Sequence, residues 1–283
     1  MIPANLVTIS GNLREIVQQL DITTMLHVDE LTNERRTNPI DADGTDLRKV
    51  WLYTPDGELY SVRNGVPTLS MTRGGVNPFL NRIDDAYDQL TKTGNFRPNA
   101  EEMSRALGEY STVHNDLTKL RLQGNDDEWR FLVVPTKKNH GLRFEEEKLA
   151  RRVFGDTTFR DNLEMFREAG ITESRIYVLA PAYVCQHAGK NPVGRAAWLY
   201  NLNSNSDFNA SGRDINNHDR SRGVRREEVF PEGNAPENTA LLAPDGITSA
   251  GVDEIIAYST DFVPAILRNQ FELGLRSKLL PQK

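Results

Sequence analysis

Two turn signals inside one β-forming stretch constrain this chain more than any other feature. The runs Lys49-Val50-Trp51-Leu52-Tyr53, Glu58-Leu59-Tyr60-Ser61-Val62 and Pro67-Thr68-Leu69-Ser70-Met71 are separated by Thr54-Pro55-Asp56-Gly57 and by Asn64-Gly65. Proline presets φ for the first central position of a turn, and Asp-Gly or Asn-Gly tolerates the positive φ that reverses a strand. A three-stranded antiparallel meander is expected over residues 49–72, and hairpin neighbours imply a mainly antiparallel sheet.

Helical periodicity surrounds it. Leu13, Ile16, Val17 and Leu20 share one helical face, with Ser10 placed to cap. Asn77-Pro78 reads as a helix start leading to Leu80, Ile83, Ala86, Tyr87 and Leu90, with Gly94 as the stop. Asn99, with Glu102 in the capping-box position, predicts a helix whose stripe is Met103, Ala106, Leu107, Tyr110, Val113, Leu117 and Leu120. The Asn-, Asp- and Arg-rich stretch from Asn33 to Asp46 reads as an exposed loop. Beyond Gly124, Trp129–Val134 is a buried-type strand ending at Pro135, and helices are expected over Phe144–Phe154 and Thr157–Ala169. Ile176–Ala180 is a further strand, expected to resume after Pro181 through Val184. A last strand at Glu254–Tyr258 and a helix carrying Leu267, Phe271, Leu275 and Leu279 close the chain.

The expected fold class is therefore α+β, a mainly antiparallel sheet with packed helices, and the strand–helix alternation of the second half leaves room there for a smaller α/β region. The Gly124-Asn125-Asp126-Asp127 stretch suggests a boundary between an N-terminal region, 1–124, and a C-terminal α/β region, 125–283, that carries a long polar loop over 201–245. One continuous domain reads equally well.

Composition narrows the function classes. Hydrophobic residues at 38% and charged residues at 26% lie outside the disordered range. A formal charge of −6 argues against nucleic-acid binding over the whole surface, which needs clustered positive charge. The single cysteine, Cys185, cannot form an intramolecular disulfide or by itself a thiolate metal site. No apolar stretch approaches membrane-spanning length, and Met1–Leu6 lacks the basic start of a signal peptide. A soluble chain, cytoplasmic or within an intracellularly assembled particle, is the expectation.

The chemically dense stretch is 213–226. His218 beside Asp219, with Asp214 near, offers a base and its orienter, and Arg213, Arg220, Arg222, Arg225 and Arg226 offer anion ligands. The competing reading is a solvated loop whose arginines pair with neighbours such as Glu227 and Glu228. Cys185 and His187 would share a face if the preceding strand continued, as a thiolate–imidazole pair requires, although a lone cysteine there is more commonly a small buried hydrophobe. Asp41-Ala42-Asp43-Gly44-Thr45-Asp46 fails as a calcium loop, because glycine falls at the fourth position and the twelfth is Leu52, so it reads as a turn. Gly74-Gly75 lacks the lysine of a phosphate-binding loop. His27, His114, His140, His187 and His218 are scattered without metal-ligand spacing. No metal or cofactor is expected.

Trp198-Leu199-Tyr200-Asn201-Leu202-Asn203, followed by Asn-rich turns and Arg222-Gly223-Val224-Arg225, is similar to the closing strands of C-type-lectin-like binding domains. The resemblance covers about 30 of 283 residues and implies a ligand-binding module, with no binding residue carried over. Three functional readings result. The first is a structural or interaction subunit of a larger assembly, such as a phage virion component, whose partners are other subunits or copies of itself. The second is an enzyme acting on a phosphorylated or nucleic-acid substrate, with His218 as base and the arginines holding the anion. The third is a lectin-like ligand-binding module.

Overall fold

The computed structural model describes residues 6–72, 80–93, 95–105, 111–189, 191–199, 202, 207–209 and 219–226. Ten described strands form one sheet: β1 (Val7–Gly11), β2 (Leu52–Arg63), β3 (Val66–Thr72), β4 (Ser111–Asp116), β5 (Leu122–Gln123), β6 (Trp129–Pro135), β7 (Glu173–Leu179), β8 (Val193–Leu199), β9 (Asp207–Asn209) and β10 (Asp219–Gly223). Their order is β1-β10-β2-β8-β9-β7-β6-β5, with β3 also paired to β2 and β4 paired to β3. Seven of the nine described pairings are antiparallel, so the α+β class with a mainly antiparallel sheet holds. Strands from both sides of Gly124 belong to this sheet, and Met1–Arg226 group into one compact unit.

Seven described helices accompany the sheet: α1 (Leu13–Gln19), α2 (Val28–Thr37), α3 (Ile83–Thr93), α4 (Ala100–Arg105), α5 (Phe144–Phe154), α6 (Phe159–Glu168) and α7 (Pro181–His187). Two apolar clusters show that the central strands are covered on both faces. One contains Leu13, Ile16, Val17, Leu20, Tyr53 and Trp198, and the other Leu31, Leu52, Ala150, Phe154, Phe166, Ala197 and Leu199. Leu52 and Tyr53 fall in different clusters, as do Trp198 and its neighbours, because successive strand side chains point to opposite faces. All of β8 is buried for the same reason.

Several elements match their sequence signals closely. The Asn64-Gly65 turn has φ of 50° and 79°, as a tight hairpin between β2 and β3 requires. At the start of α4 the Asn99 amide donates to the Glu102 carboxylate at 2.8 Å and the Glu102 amide donates to the Asn99 side-chain oxygen at 2.9 Å. Helix α5 spans Phe144–Phe154 as its periodicity predicts, and Gly170 takes a φ of 81° just beyond α6. Asp41–Thr45 forms a turn, with Gly44 at φ 82°.

Elsewhere tertiary pairing overrides the local signal. The segment 54–57 makes no hairpin: β2 runs on through it, and its register against β8 shifts between Tyr53 and Gly57. Proline and Asp-Gly serve a bulge as well as a turn. The bulge lets one edge of β2 meet β10 near Leu52 and β3 from Glu58 onward, while β8 occupies the other edge. The long helix expected from Asn99 to Leu120 is not one element, since only Ala100–Arg105 is described as helix. Residues 111–116 instead pair with β3, and Leu117–Lys119 form a 3₁₀ turn capped by Asp116. Leu117 and Leu120 are buried, so their apolar spacing reflects a strand-and-turn path over the core. The polar stretch from Asn33 is not an exposed loop in its first part, because α2 extends to Thr37 with Glu34 and Arg35 buried. Arg35 donates to the carbonyls of Leu47 and Val50, both at 2.9 Å, and so ties the following loop to the helix. Asn12, rather than Ser10, caps α1. Residues 181–187 form α7, with proline in its first turn, instead of a resumed strand. Gly74-Gly75, the expected last strand and the closing helix lie outside the described residues.

Candidate functional site

Of the residues predicted from 213–226, Arg213, Asp214 and His218 lie outside the described residues. Asp219, Arg220 and Arg222 stand in β10, paired with β1 on one side and β2 on the other. Strand alternation buries Ser221 and Gly223 and turns Arg220 and Arg222 the other way. Ser221 donates from its hydroxyl to the carbonyl of Tyr53 at 3.0 Å. Arg222 is 11% exposed at its side chain and is held by Asp41, by Thr8 at 3.3 Å and by Glu34 at 3.8 Å. Arg220 donates to the Thr45 hydroxyl, and Arg226 to the carbonyl of Leu20 at 3.1 Å. Arg225 is exposed and bridges Leu20 through its backbone. These arginines therefore fasten α1, α2 and the 41–45 turn to a sheet strand. Burial pushes the Asp41 carboxyl up, but hydrogen bonds from Thr8, Arg222 and the Ala42 amide outweigh it and hold the group below the ordinary aspartate value.

A specific outcome is expected from this placement. Arg222→Gln is expected to reduce the free energy of unfolding by about 2 kcal/mol, read as a drop in the urea midpoint, because the buried Asp41 and Glu34 lose their cation. An unchanged midpoint would mean that Arg222 does not hold the fold.

Cys185 and His187 do not form a pair. They sit two positions apart on α7, about 200° around the helix. Cys185 is exposed, while His187 stacks on Tyr183 with ring centroids 3.9 Å apart and its Nδ1 lies 3.0 Å from the Tyr183 carbonyl.

The structure instead opens a recess of about 940 Å³ between the β6–α5 connection and helices α5 and α6. Sequence reading did not single it out. Its floor residues Phe159 and Leu163 are buried at 1% and 4% exposure, whereas Lys137, Lys138 and Arg160 at its rim are exposed. Glu146 ties into the β6–α5 connection through Arg121, which reaches Gly141. Its buried carboxylate accepts from the Arg143 amide at 2.8 Å, the Arg121 amide at 3.0 Å and the Arg121 Nε at 2.8 Å. Arg121 in turn donates to the carbonyl of Gly141 at 2.9 Å. Burial alone would raise the Glu146 carboxyl, yet these donors hold it well below the ordinary range. Thr136 closes the base of the connection by donating to the carbonyl of Ile171 at 2.7 Å.

Inside the recess the side chains divide by what already occupies them. Arg151 pairs with Glu147 at 2.7 Å and lies 4.9 Å above the Phe159 ring. Arg167 pairs with Glu164. Lys137, Lys138 and Arg160 make no ion pair among the described residues, and Asp161 is the remaining carboxylate in the lining. His140 accepts the Leu142 amide at Nδ1, 3.2 Å away, so its Nε2 carries the proton and is a donor. Its ring meets Phe159 edge-on at 5.6 Å.

Two further buried polar clusters lie along β2. Asp56, in the β2 bulge, receives the Val28 amide, Arg152 and His27. Glu58 and Tyr60 share a hydrogen bond inside the sheet beside Arg195. Among the described residues no group of three His, Cys, Asp or Glu is arranged to hold a metal ion, and no described helix is long and apolar enough to cross a membrane.

No family model and no curated protein matches this chain. The fold is similar to a solved structure described as "Accommodation of massive sequence variation in Nanoarchaeota by the C-type lectin fold", at 16% sequence identity and a TM-score of 0.49, over 80% of this chain and 100% of that one.

Proposed function

We propose that this chain is a ligand-binding module whose binding surface is the recess between the β6–α5 connection and α6. The observation that supports the reading is the recess itself. About 940 Å³ lies in the range of small-molecule sites, with an apolar floor and a few convergent polar groups. Its walls are held by the sheet, by the Glu146 cluster and by the Phe159 face of α6, so a ligand would meet a preformed surface. Among the described residues only Ile40 and Phe144 are large, apolar and exposed, and single exposed side chains do not make a docking face. The assembly-subunit reading rests on composition, long polar loops, Arg-rich edges and an apolar-striped terminal helix in the sequence, and light scattering across a wide concentration range tests it separately.

Amide hydrogen exchange tests the binding reading directly. The full chain is titrated with pyrophosphate, citrate and maltose, and protection is followed over 136–143 and 159–167. Slowed exchange confined to those segments with any one probe supports the module. If all three leave both segments unchanged, the recess is not a site for these ligand classes and the reading falls.

A further inference from the structure

Resting on that reading, we infer that the recess selects a compact oxyanion bearing two or more negative charges, held by Lys137, Lys138 and Arg160. Five Lys and Arg side chains line the recess against three carboxylates, in a chain whose formal net charge is −6. The local surplus therefore opposes the charge of the whole molecule. Arg151 and Arg167 are already answered by Glu147 and Glu164. The three remaining cations belong to two separate walls, with Lys137 and Lys138 on the β6–α5 connection and Arg160 in the first turn of α6. A single anionic group meets one wall, whereas a ligand with two meets both.

The surroundings strengthen that preference. A recess with an apolar floor focuses the field of its rim charges, because the low-dielectric wall screens them less than water does. The Nε2–H of His140 adds a donor beside the Phe159 floor. A neutral polyol would displace water from three cations without answering their charge, which costs free energy. A phosphate-bearing ligand and a polycarboxylate share the chemistry that would satisfy them, and charge-assisted hydrogen bonds to either are the strong kind.

Calorimetric titration of the full chain with pyrophosphate, citrate and maltose at matched ionic strength separates the outcomes. At least one of the two anions is expected to bind, with affinity falling as NaCl rises from about 50 to about 500 mM. Their relative affinity tells phosphate from carboxylate preference. The variant K137Q/K138Q/R160Q is expected to weaken that binding by about tenfold or more, while Lys92→Gln on α3 leaves it unchanged. All three substituted side chains are exposed, and circular dichroism confirms that the variant is folded. Anion binding that survives the triple substitution overturns the inference. Maltose protection of 136–143 without any anion binding overturns it too, but leaves the ligand-binding reading standing. If no probe binds, both fall.

Discussion

Asp56→Asn is expected to cost about 3–5 kcal/mol of folding free energy, the range for breaking a buried ion pair by removing one partner. The carboxylate is fully buried in the β2 bulge and receives groups from two helices. Its Oδ2 accepts the Val28 amide at 2.7 Å at the start of α2, and its Oδ1 accepts Arg152 of α5 at 3.0 Å. The Nδ1 of His27 stands 3.2 Å from the same oxygen. An asparagine presents one oxygen and one NH₂ group to three donors, so a donor is left facing a donor and the buried Arg152 loses its counter-charge. Urea unfolding near pH 6 measures the loss, and a change below about 1 kcal/mol would remove Asp56 from the list of groups that seat α2 and α5.

The same triad has a pH window with a defined sign. Burial works to raise the Asp56 carboxyl, but His27, Arg152 and the Val28 amide overcome it and hold the group at about 2. Because that value is depressed, its stabilisation is present above the unfolded aspartate value and is lost as pH falls from about 4 toward about 2. For His27, burial lowers the pKa but Asp56 more than compensates, leaving it raised. Its contribution is full below the unfolded value and lost as pH rises through the folded one. In Asp56→Asn, the His27 titration followed by NMR moves down toward or below the ordinary value.

How far the sequence could reach is visible in that residue. Pro55-Asp56-Gly57 carries the chemistry of a hairpin turn, and nothing local distinguishes it from a bulge. The difference is made by Val28 and Arg152, which are 28 and 96 residues away. Elements whose determinants are local were legible: the Asn64-Gly65 reversal, the Asn99–Glu102 cap and the period-3.6 face of α5. The segment 111–116 was not, since its apolar spacing fits a helix and only pairing with β3 settles it. Arg222 looked like a ligand group because its partner Asp41 is 181 residues away. The recess was hidden for the same reason. Lys137-Lys138 alone is an ordinary charged stretch, and it becomes part of a cavity only when α6 brings Arg160 to the same recess.

Glu58 supplies the second large effect, with the opposite dependence on pH. It is completely buried on β2, opposite Arg195 of β8. Burial pushes its carboxyl up to about 8, and the pull of the Tyr60 hydroxyl and of Arg195 does not offset it. Arg195 is also engaged by Glu128 at 2.5 Å and lies 4.9 Å above the Trp129 ring. Tyr60 accepts the Leu179 amide at 3.0 Å and donates to Glu58, so the acid terminates a chain that joins β2 to β7. A carboxyl raised in the folded state stabilises fully below its unfolded value, and this stabilisation disappears as pH rises through the folded one. The wild-type chain should therefore lose on the order of 4 kcal/mol between about pH 5 and pH 8 from this group, at 1.36 kcal/mol per pKa unit. Glu58→Gln mimics the protonated acid, keeps an oxygen for Tyr60 and cannot ionise. It should match the wild type near pH 5 and exceed it near pH 8. Taking the difference between the two proteins cancels the His27 contribution, which both share. A difference that stays flat across the window would mean that Glu58 titrates in the folded chain as it does in the unfolded one, with Arg195 and Tyr60 stabilising its charge as fully as water.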